Sequence, residues 1–288
     1  MKRSSRSSSF RSFIDSAFFV ACRGCLVAAA ILVACVLVFL VRESWPTWQR
    51  IPWHRFFTDS GWHPVAGEYW LIPMIVGTAL SSGLALVIAG PLGLGTAVFS
   101  RLHASRRGAW IVDRSTELLA GLPSVVFGLW GLVVLAPWFA GSGSGQGLLT
   151  ASIVLSLMIL PTIALTASAA LRNVPAELLQ GAAALGLSRV SIMTRVALPA
   201  AWPSIRVGLL LALTRALGET MAVVMVAGNV ASIPTSLQAP IRTMTATIAL
   251  ELGYASADHR SMLFAIGTVM MVLVLGMVWL SGPRRADS

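Results

Sequence analysis

Residues 70–100 read WLIPMIVGTALSSGLALVIAGPLGLGTAVFS and contain no charged side chain. The hydrocarbon core of a bilayer is about 30 Å thick, and a helix crosses it with about 20 apolar residues at about 1.5 Å each. This stretch is longer than one crossing requires, so tilt, protrusion or a kink is expected, with Pro73 and Pro91 as candidate kink positions. The run indicates an integral membrane helix.

The composition of the whole chain agrees with a membrane protein. Of its 288 residues, 56% are hydrophobic and only 11% are charged, and the mean hydropathy is +0.81. Soluble domains carry about 25% charged residues. The net charge of +10 is compatible with nucleic-acid binding, but the basic residues lie between apolar runs rather than along one face, which disfavours that class.

Five more apolar runs lie before and after residues 70–100, at residues 25–41, 118–140, 148–171, 207–230 and 262–280. The six runs together predict an all-α integral membrane protein with six transmembrane helices.

The loop charges predict the orientation of these helices. Segments on one side carry fifteen Lys and Arg residues, and segments on the other side carry five. Because cytoplasmic loops are enriched in Lys and Arg, both termini are predicted to lie in the cytoplasm.

Four regions follow from these spans. They are a retained cytoplasmic tail at 1–24, the first transmembrane helix and an external loop at 25–69, a core of five transmembrane helices at 70–281 that includes a long loop at 172–206, and a cytoplasmic tail at 282–288. Cys22 and Cys25 form a CxxC beside the first span, and we interpret them as small helix residues rather than a redox pair.

Small residues recur every fourth position in two of the spans. Helices pack closely in lipid where such residues face each other, so we interpret both rows as packing surfaces. The rows are Ser81, Ala85, Ala89, Gly93 and Ala97, and Gly208, Ala212 and Ala216.

Motifs for ATP hydrolysis, zinc binding and serine hydrolysis are absent from the sequence. A Walker loop needs a lysine after its glycines, and the only lysine is Lys2. The four histidines lack the spacing of metal ligands, and no GxSxG is present. We therefore expect no enzyme activity, metal or cofactor, and any ATP must be hydrolysed by another subunit.

The loop at 172–206 is too long for a simple turn in a helix bundle. A short helix is predicted after Pro175, with Leu178, Ala182 and Leu185 on one face and Gly186 as its stop. Either this face contacts a partner protein, or the helix lies on the membrane surface or packs on the bundle.

Arg215 and Glu219 are charges in the predicted fifth span. Nine residues beyond Arg206, Arg215 is expected roughly 14 Å into a core about 30 Å thick. Glu219 is one helical turn further, so the two side chains are expected to pair. The pair either fixes helix packing or lines a polar pathway, and intramembrane charges favour the pathway.

The long loop resembles the cytoplasmic "EAA" signature of ABC-importer permeases. In that family the loop forms a coupling helix that docks on the ATPase subunit. Gln180 replaces the family's Glu and Gly181 its first Ala. The resemblance implies a coupling role for Glu177, Gln180, Gly181, Ala182, Gly186, Leu198 and Pro199.

Two further segments, ELLAGLPSVVFGL at 117–129 and RALGETMAV at 215–223, resemble the PstC-type permease subunits of phosphate importers. The resemblance covers residues 72 to about 280 and implies the type I ABC-importer permease fold. It places Arg215, Glu219 and Thr220 on the substrate pathway and makes Glu117, Pro123, Ser124 and Pro161 family-motif residues.

The resemblance also implies the function. The chain is expected to carry inorganic phosphate through the bacterial cytoplasmic (inner) membrane with a second, PstA-like permease, a PstB-like ATPase dimer and an external PstS-like phosphate-binding protein. The alternatives are a permease for sulfate, molybdate or tungstate, the PstA-type subunit itself, and a stand-alone carrier or channel.

Overall fold

The computed structural model describes residues 5–102, 105–141 and 143–281. Thirteen α-helices and one two-stranded antiparallel sheet lie in these ranges. In chain order they are α1 Ser5–Arg50, α2 Arg55–Thr58, β1 Trp62–His63, β2 Glu68–Tyr69, α3 Ile72–Leu102, α4 Arg106–Gly121, α5 Ser124–Trp130, α6 Ala136–Phe139, α7 Leu148–Arg172, α8 Ala176–Ala184, α9 Arg189–Ile192, α10 Leu198–Gly218, α11 Met221–Val226, α12 Met244–Glu251 and α13 Ala257–Ser281.

Five helical stretches in the described residues are long and apolar enough to cross a membrane. They are α1, α3, α7, the continuous run from α9 through a π-helical turn into α10, and α13. A bent pair, α4 followed by α5 and α6, supplies a sixth crossing if it is counted as one span. The predicted all-α membrane fold is confirmed.

The third span differs from the continuous helix predicted at 118–140. Helix α4 ends at Gly121 and α5 starts at Ser124, and the two segments meet at 94°. Leu122 and Pro123 between them are extended, with ψ of 135° and 140°. Proline lacks an amide N–H and disfavours helical geometry in the residue before it, so the prediction of a single helix at 118–140 was wrong at this point.

The fifth span is displaced toward the N-terminus of the predicted range 207–230. Its helix begins at Arg189 and ends at Gly218, where Glu219 adopts extended angles of φ −69° and ψ 126°. Helix α11 follows as a separate segment. Arg215 therefore lies in the last turn of α10, and its depth in the membrane stays a prediction.

Helix α1 begins earlier than predicted. Residues 5–24, which we assigned to a tail, continue the first helix, and the cysteines Cys22, Cys25 and Cys35 on it are free and exposed. The segments 1–4 and 282–288 lie outside the described residues.

The two rows of small residues face their neighbours in the bundle, as interpreted. Both rows are buried, and α3 and α10 pack on α7. A Cβ on Gly93 would lie 2.8 Å from the Ile163 Cγ2, and one on Gly208 would overlap the Thr166 side chain. Close approach of these helices thus depends on the missing side chains.

Candidate functional site

Arg215 lies at the C-terminal end of α10 and contacts α7. Its Nη1 donates a hydrogen bond of 3.2 Å to the Oγ1 of Thr162, and the arginine is exposed on the surface of the chain. Thr162 follows Pro161, which is buried inside α7. The guanidinium is thereby held against a neutral hydroxyl.

Glu219 does not pair with Arg215, so the predicted ion pair is wrong. The pairing required one continuous helix with the two residues four positions apart. Because α10 ends at Gly218, the Glu219 side chain points elsewhere, and its Oε1 accepts a hydrogen bond of 3.3 Å from the Ala222 N–H at the start of α11. The Glu219 backbone carbonyl accepts a 3.1 Å hydrogen bond from the Oγ1 of Thr245.

Thr220 occupies the N-cap position of α11. Its Oγ1 donates back to the Gly218 carbonyl at 3.3 Å, and the side chain is half-buried. Arg215, Glu219 and Thr220 are therefore close in the chain, on either side of a helix break, but their side chains have different partners. The break therefore leaves the Arg215 guanidinium and the Glu219 carboxylate with different hydrogen-bond partners.

The loop after α11 is hydrogen-bonded to the segment that precedes α12. Gly228 and Asn229 both have positive φ angles, 80° and 57°. The Asn229 Nδ2 donates to the Val224 carbonyl at 2.7 Å, and the backbone carbonyl of Asn229 accepts from the Arg242 Nε at 2.9 Å. The Ile241 N–H donates to the Ala227 carbonyl at 2.8 Å. These bonds tie the chain after α11 to the segment that precedes α12.

A buried ionic cluster was missed by sequence reasoning. The carboxylate of Glu251, at the end of α12, accepts from the Arg242 Nη1 at 2.6 Å, from the Trp62 Nε1 at 2.9 Å, and shares a 2.8 Å hydrogen bond with the His259 Nε2. Glu251, Trp62 and His259 are each less than 10% exposed. A buried charge needs such partners, because an unpaired one is costly.

The cluster joins four separate segments. Trp62 lies on β1, Arg242 precedes α12, and His259 lies in the first turn of α13. Tyr69 lies on β2, which pairs with the strand of Trp62. Burial of Tyr69 and, second, the negative charge of Asp258 raise its pKa above the ordinary value of 10.0, so the phenol stays neutral. Sequence reasoning missed this site because the partners of Glu251 come from distant segments of the chain.

Helix α8 corresponds to the short helix predicted after Pro175. Gly186 ends it with a φ of 77°, and the Gly186 and Leu187 N–H groups donate to the Ala183 and Ala182 carbonyls, as expected for a glycine stop. The three residues predicted to share one face of this helix differ in exposure. Leu178 and Leu185 are 50% and 83% exposed, whereas Ala182 is 7% exposed.

The remaining coupling-loop residues lie on and after α8. Glu177, Gln180 and Gly181 are exposed, and Leu198 and Pro199 begin α10. Of the family-motif residues, Pro161 directly precedes Thr162 in α7, Glu117 forms an exposed ion pair with Arg114, and Pro123 and Ser124 form the α4–α5 elbow. The sequence-predicted residues thus form separate groups rather than one site.

The chain is similar in sequence to known transport proteins. The model of a family described as the inner membrane component of binding-protein-dependent transport systems matches residues 89–282. The phosphate transport system permease protein PstC of Mesorhizobium japonicum is 36% identical over 94% of this chain and 90% of its own length. The probable ABC transporter permease protein YqgH of Bacillus subtilis is 37% identical over 80% of this chain and 78% of its own length.

Solved structures give the same fold. A chain of a bacterial ABC transporter that imports the acidic polysaccharide alginate is similar with a TM-score of 0.59 and 18% identity, over 94% of this chain and 99% of that one. A chain of the inward-facing MetNI methionine ABC transporter is similar with a TM-score of 0.55 and 20% identity, over 73% and 90%.

Proposed function

The chain belongs to the family of inner membrane components of binding-protein-dependent transport systems, and we propose that it is the PstC-type permease subunit that carries inorganic phosphate. It is a multi-pass inner membrane protein with the type I ABC-importer permease fold. The phosphate assignment is supported by its relatives, several of which are named phosphate transport permeases.

The proposal depends most on the hydrogen-bond partner of Arg215. Within the part of the chain that the structure describes, its guanidinium bonds to a neutral hydroxyl and to no carboxylate, so its positive charge is available to an anion. A guanidinium can hold two oxygens of a tetrahedral oxyanion with paired hydrogen bonds. In the proposed mechanism Arg215 lowers the electrostatic barrier to phosphate, and Thr162 orients the guanidinium while the path is empty.

Glu219 takes a different part from the one first expected. Since Glu219 forms no hydrogen bond or ion pair with Arg215, it does not orient the guanidinium. We propose that its carboxylate accepts a hydrogen bond from the protonated oxygen of a passing phosphate, a donor that sulfate lacks at neutral pH. The half-buried Thr220 hydroxyl beside it supplies a neutral hydrogen-bonding group on the same path.

The proposed assembly has four kinds of subunit. Family membership implies an ATPase and an external binding protein, and the phosphate assignment makes these PstB-like and PstS-like, with a PstA-like second permease. Both termini and α8 lie on the cytoplasmic side in this arrangement, and the exposed Leu178 of α8 and Leu185 directly after it contact the ATPase. ATP-driven movement of α8 would be transmitted through the continuous α9–α10 helix to Arg215.

Uptake of radiolabelled phosphate tests the proposal. Cells that lack this chain are complemented with the wild type, with Arg215→Leu, or with Arg195→Leu as a control that removes an exposed arginine from the same helical run. We expect Arg215→Leu to abolish uptake and the control to retain it. Normal uptake by Arg215→Leu would refute the pathway, and stronger competition by sulfate, molybdate or tungstate than by phosphate would refute the substrate.

A further inference from the structure

A cavity of about 370 Å³ lies at the end of the bundle that carries α8. Two arginines, Arg101 and Arg189, line it together with six apolar residues, among them Leu102, Leu171, Leu179 and Met193. The lining comes from the ends of α3 and α7, from α8 and α9, and from the π-helical turn that joins α9 to α10. The cavity thus combines two cationic groups with an apolar wall.

The two arginines have unused hydrogen-bonding capacity. The Arg101 Nε and Nη2 donate to the buried Ser168 Oγ at 3.4 and 3.2 Å, which fixes the guanidinium and leaves its Nη1 without a hydrogen bond to a described residue. Among the described side chains neither Arg101 nor Arg189 forms an ion pair. The charges of Arg172 and Asp113 also act on Arg101, in opposite directions.

We propose that this cavity binds the headgroup of an anionic phospholipid. The phosphodiester lies between Arg101 and Arg189, and the first methylenes of the acyl chains lie along Leu171, Leu179 and Met193. Basic pockets between membrane helices bind phospholipid headgroups in this way. A free phosphate ion fits the lining poorly, because six of its eight residues offer the ion no hydrogen-bond donor from a side chain.

The bound lipid has a structural consequence. Arg101 belongs to α3, whereas Leu179 and Arg189 belong to the segment that contains α8. A lipid that contacts all three connects the α8–α9 segment to the bundle. The inference does not depend on which anion the chain transports.

Lipid binding by the purified full-length chain in mild detergent tests the proposal. Native mass spectrometry measures the binding of phosphatidylglycerol and phosphatidylcholine to the wild type, to Arg101→Gln/Arg189→Gln and to a control, Arg114→Gln/Arg195→Gln. The control removes the same charge from exposed residues outside the cavity lining. At about 1 kcal/mol for each basic group near a lipid headgroup, we expect phosphatidylglycerol binding to weaken about 30-fold in the cavity variant.

The control is expected to bind phosphatidylglycerol within about twofold of the wild type, since its arginines do not line the cavity. If the double cavity variant fails to fold, the single exposed change Arg189→Gln is expected to weaken binding about fivefold. Equal binding of phosphatidylcholine, equal weakening in the control, or displacement of the lipid by inorganic phosphate would each overturn the proposal.

Discussion

Arg215 and Thr162 form the contact on which the proposed pathway depends. The hydroxyl orients the guanidinium at 3.2 Å but carries no charge, so an incoming anion does not have to displace a carboxylate. An Arg–carboxylate pair at the same place would neutralise the site before the substrate arrived. A neutral partner therefore suits a group that binds an anion briefly.

Replacing Thr162 with Val tests this contact. The substitution keeps the shape of the side chain and removes the hydrogen bond to Arg215, which at about 1 kcal/mol predicts a KM for phosphate uptake about fivefold higher. Thr166→Val is the control, because the Thr166 hydroxyl on the same helix bonds to the Thr162 and Ile163 carbonyls and not to Arg215. Equal KM values for the two variants would show that Thr162 does not position the arginine.

Glu219→Gln separates charge from helix capping. The amide oxygen of glutamine can still accept the Ala222 N–H bond, so the start of α11 should be kept. We expect phosphate uptake to fall several-fold, and sulfate to inhibit the remaining uptake more strongly at neutral pH, because the amide accepts the hydrogen bond of a protonated oxygen less well than a carboxylate. Unchanged phosphate uptake and sulfate inhibition would remove Glu219 from the pathway.

At the scale of elements, two interruptions separate the structure from the predicted spans. The elbow at Leu122–Pro123 turns the third span by 94°, and the break at Glu219 separates α10 from α11. Both interruptions lie inside segments that resemble the PstC-type permeases. An unbroken helix at 207–230 would have placed Glu219 beside Arg215, whereas the break gives each group its own partner.

Helix α8 has a stop that can be tested by one substitution. Gly186 has a φ of 77°, a left-handed conformation that costs an L-residue about 1–2 kcal/mol. Gly186→Ala should therefore unwind the end of α8 and reduce phosphate transported per ATP hydrolysed by the reconstituted transporter.

Gly181→Ala is the matched control for this change. Gly181 is inside α8 without a positive φ, and a Cβ there would meet no atom within 4 Å. Alanine is the residue that the EAA signature has at this position, and it favours the helix by up to about 1 kcal/mol, so coupling should be retained. The role of α8 in coupling would be contradicted if Gly186→Ala transported with the wild-type ratio.

At the scale of the whole molecule, one carboxylate, that of Glu251, bonds to three separate segments. These segments are the β1–β2 hairpin, the loop before α12, and helix α13. The Trp62–Glu251 bond joins residues 189 positions apart in the chain. Arg242 also bonds to Asn229, so the same cluster reaches the loop that follows α11. Its removal should loosen several segments together.

Glu251→Gln should destabilise the chain strongly. The Arg242 side chain is 19% exposed, and neutralising its partner leaves a partly buried cation without compensation, at a cost of about 3 kcal/mol. Glu117→Gln, which breaks the exposed Arg114 pair, should cost less than about 1 kcal/mol. Denaturant unfolding of both variants in detergent measures the difference, and equal losses would show that the cluster contributes no special stability.

The sequence by itself determined the membrane class, most of the spans and the packing rows. Hydropathy and the spacing of small residues are local properties, and both are readable within a window of about 20 residues. The resemblance to phosphate permeases added the family, which the comparisons confirm. The stop at Gly186 was likewise predictable, because a glycine terminates a helix through its own backbone.

Only the tertiary structure decided which side chains meet. Arg215 bonds to Thr162, 53 positions away, instead of to Glu219 four positions away, and Glu251 collects partners from distant segments. Helix periodicity assumes that a helix continues, and a break removes the assumption. A contact between remote residues depends on how whole helices pack, which no local pattern in the chain encodes.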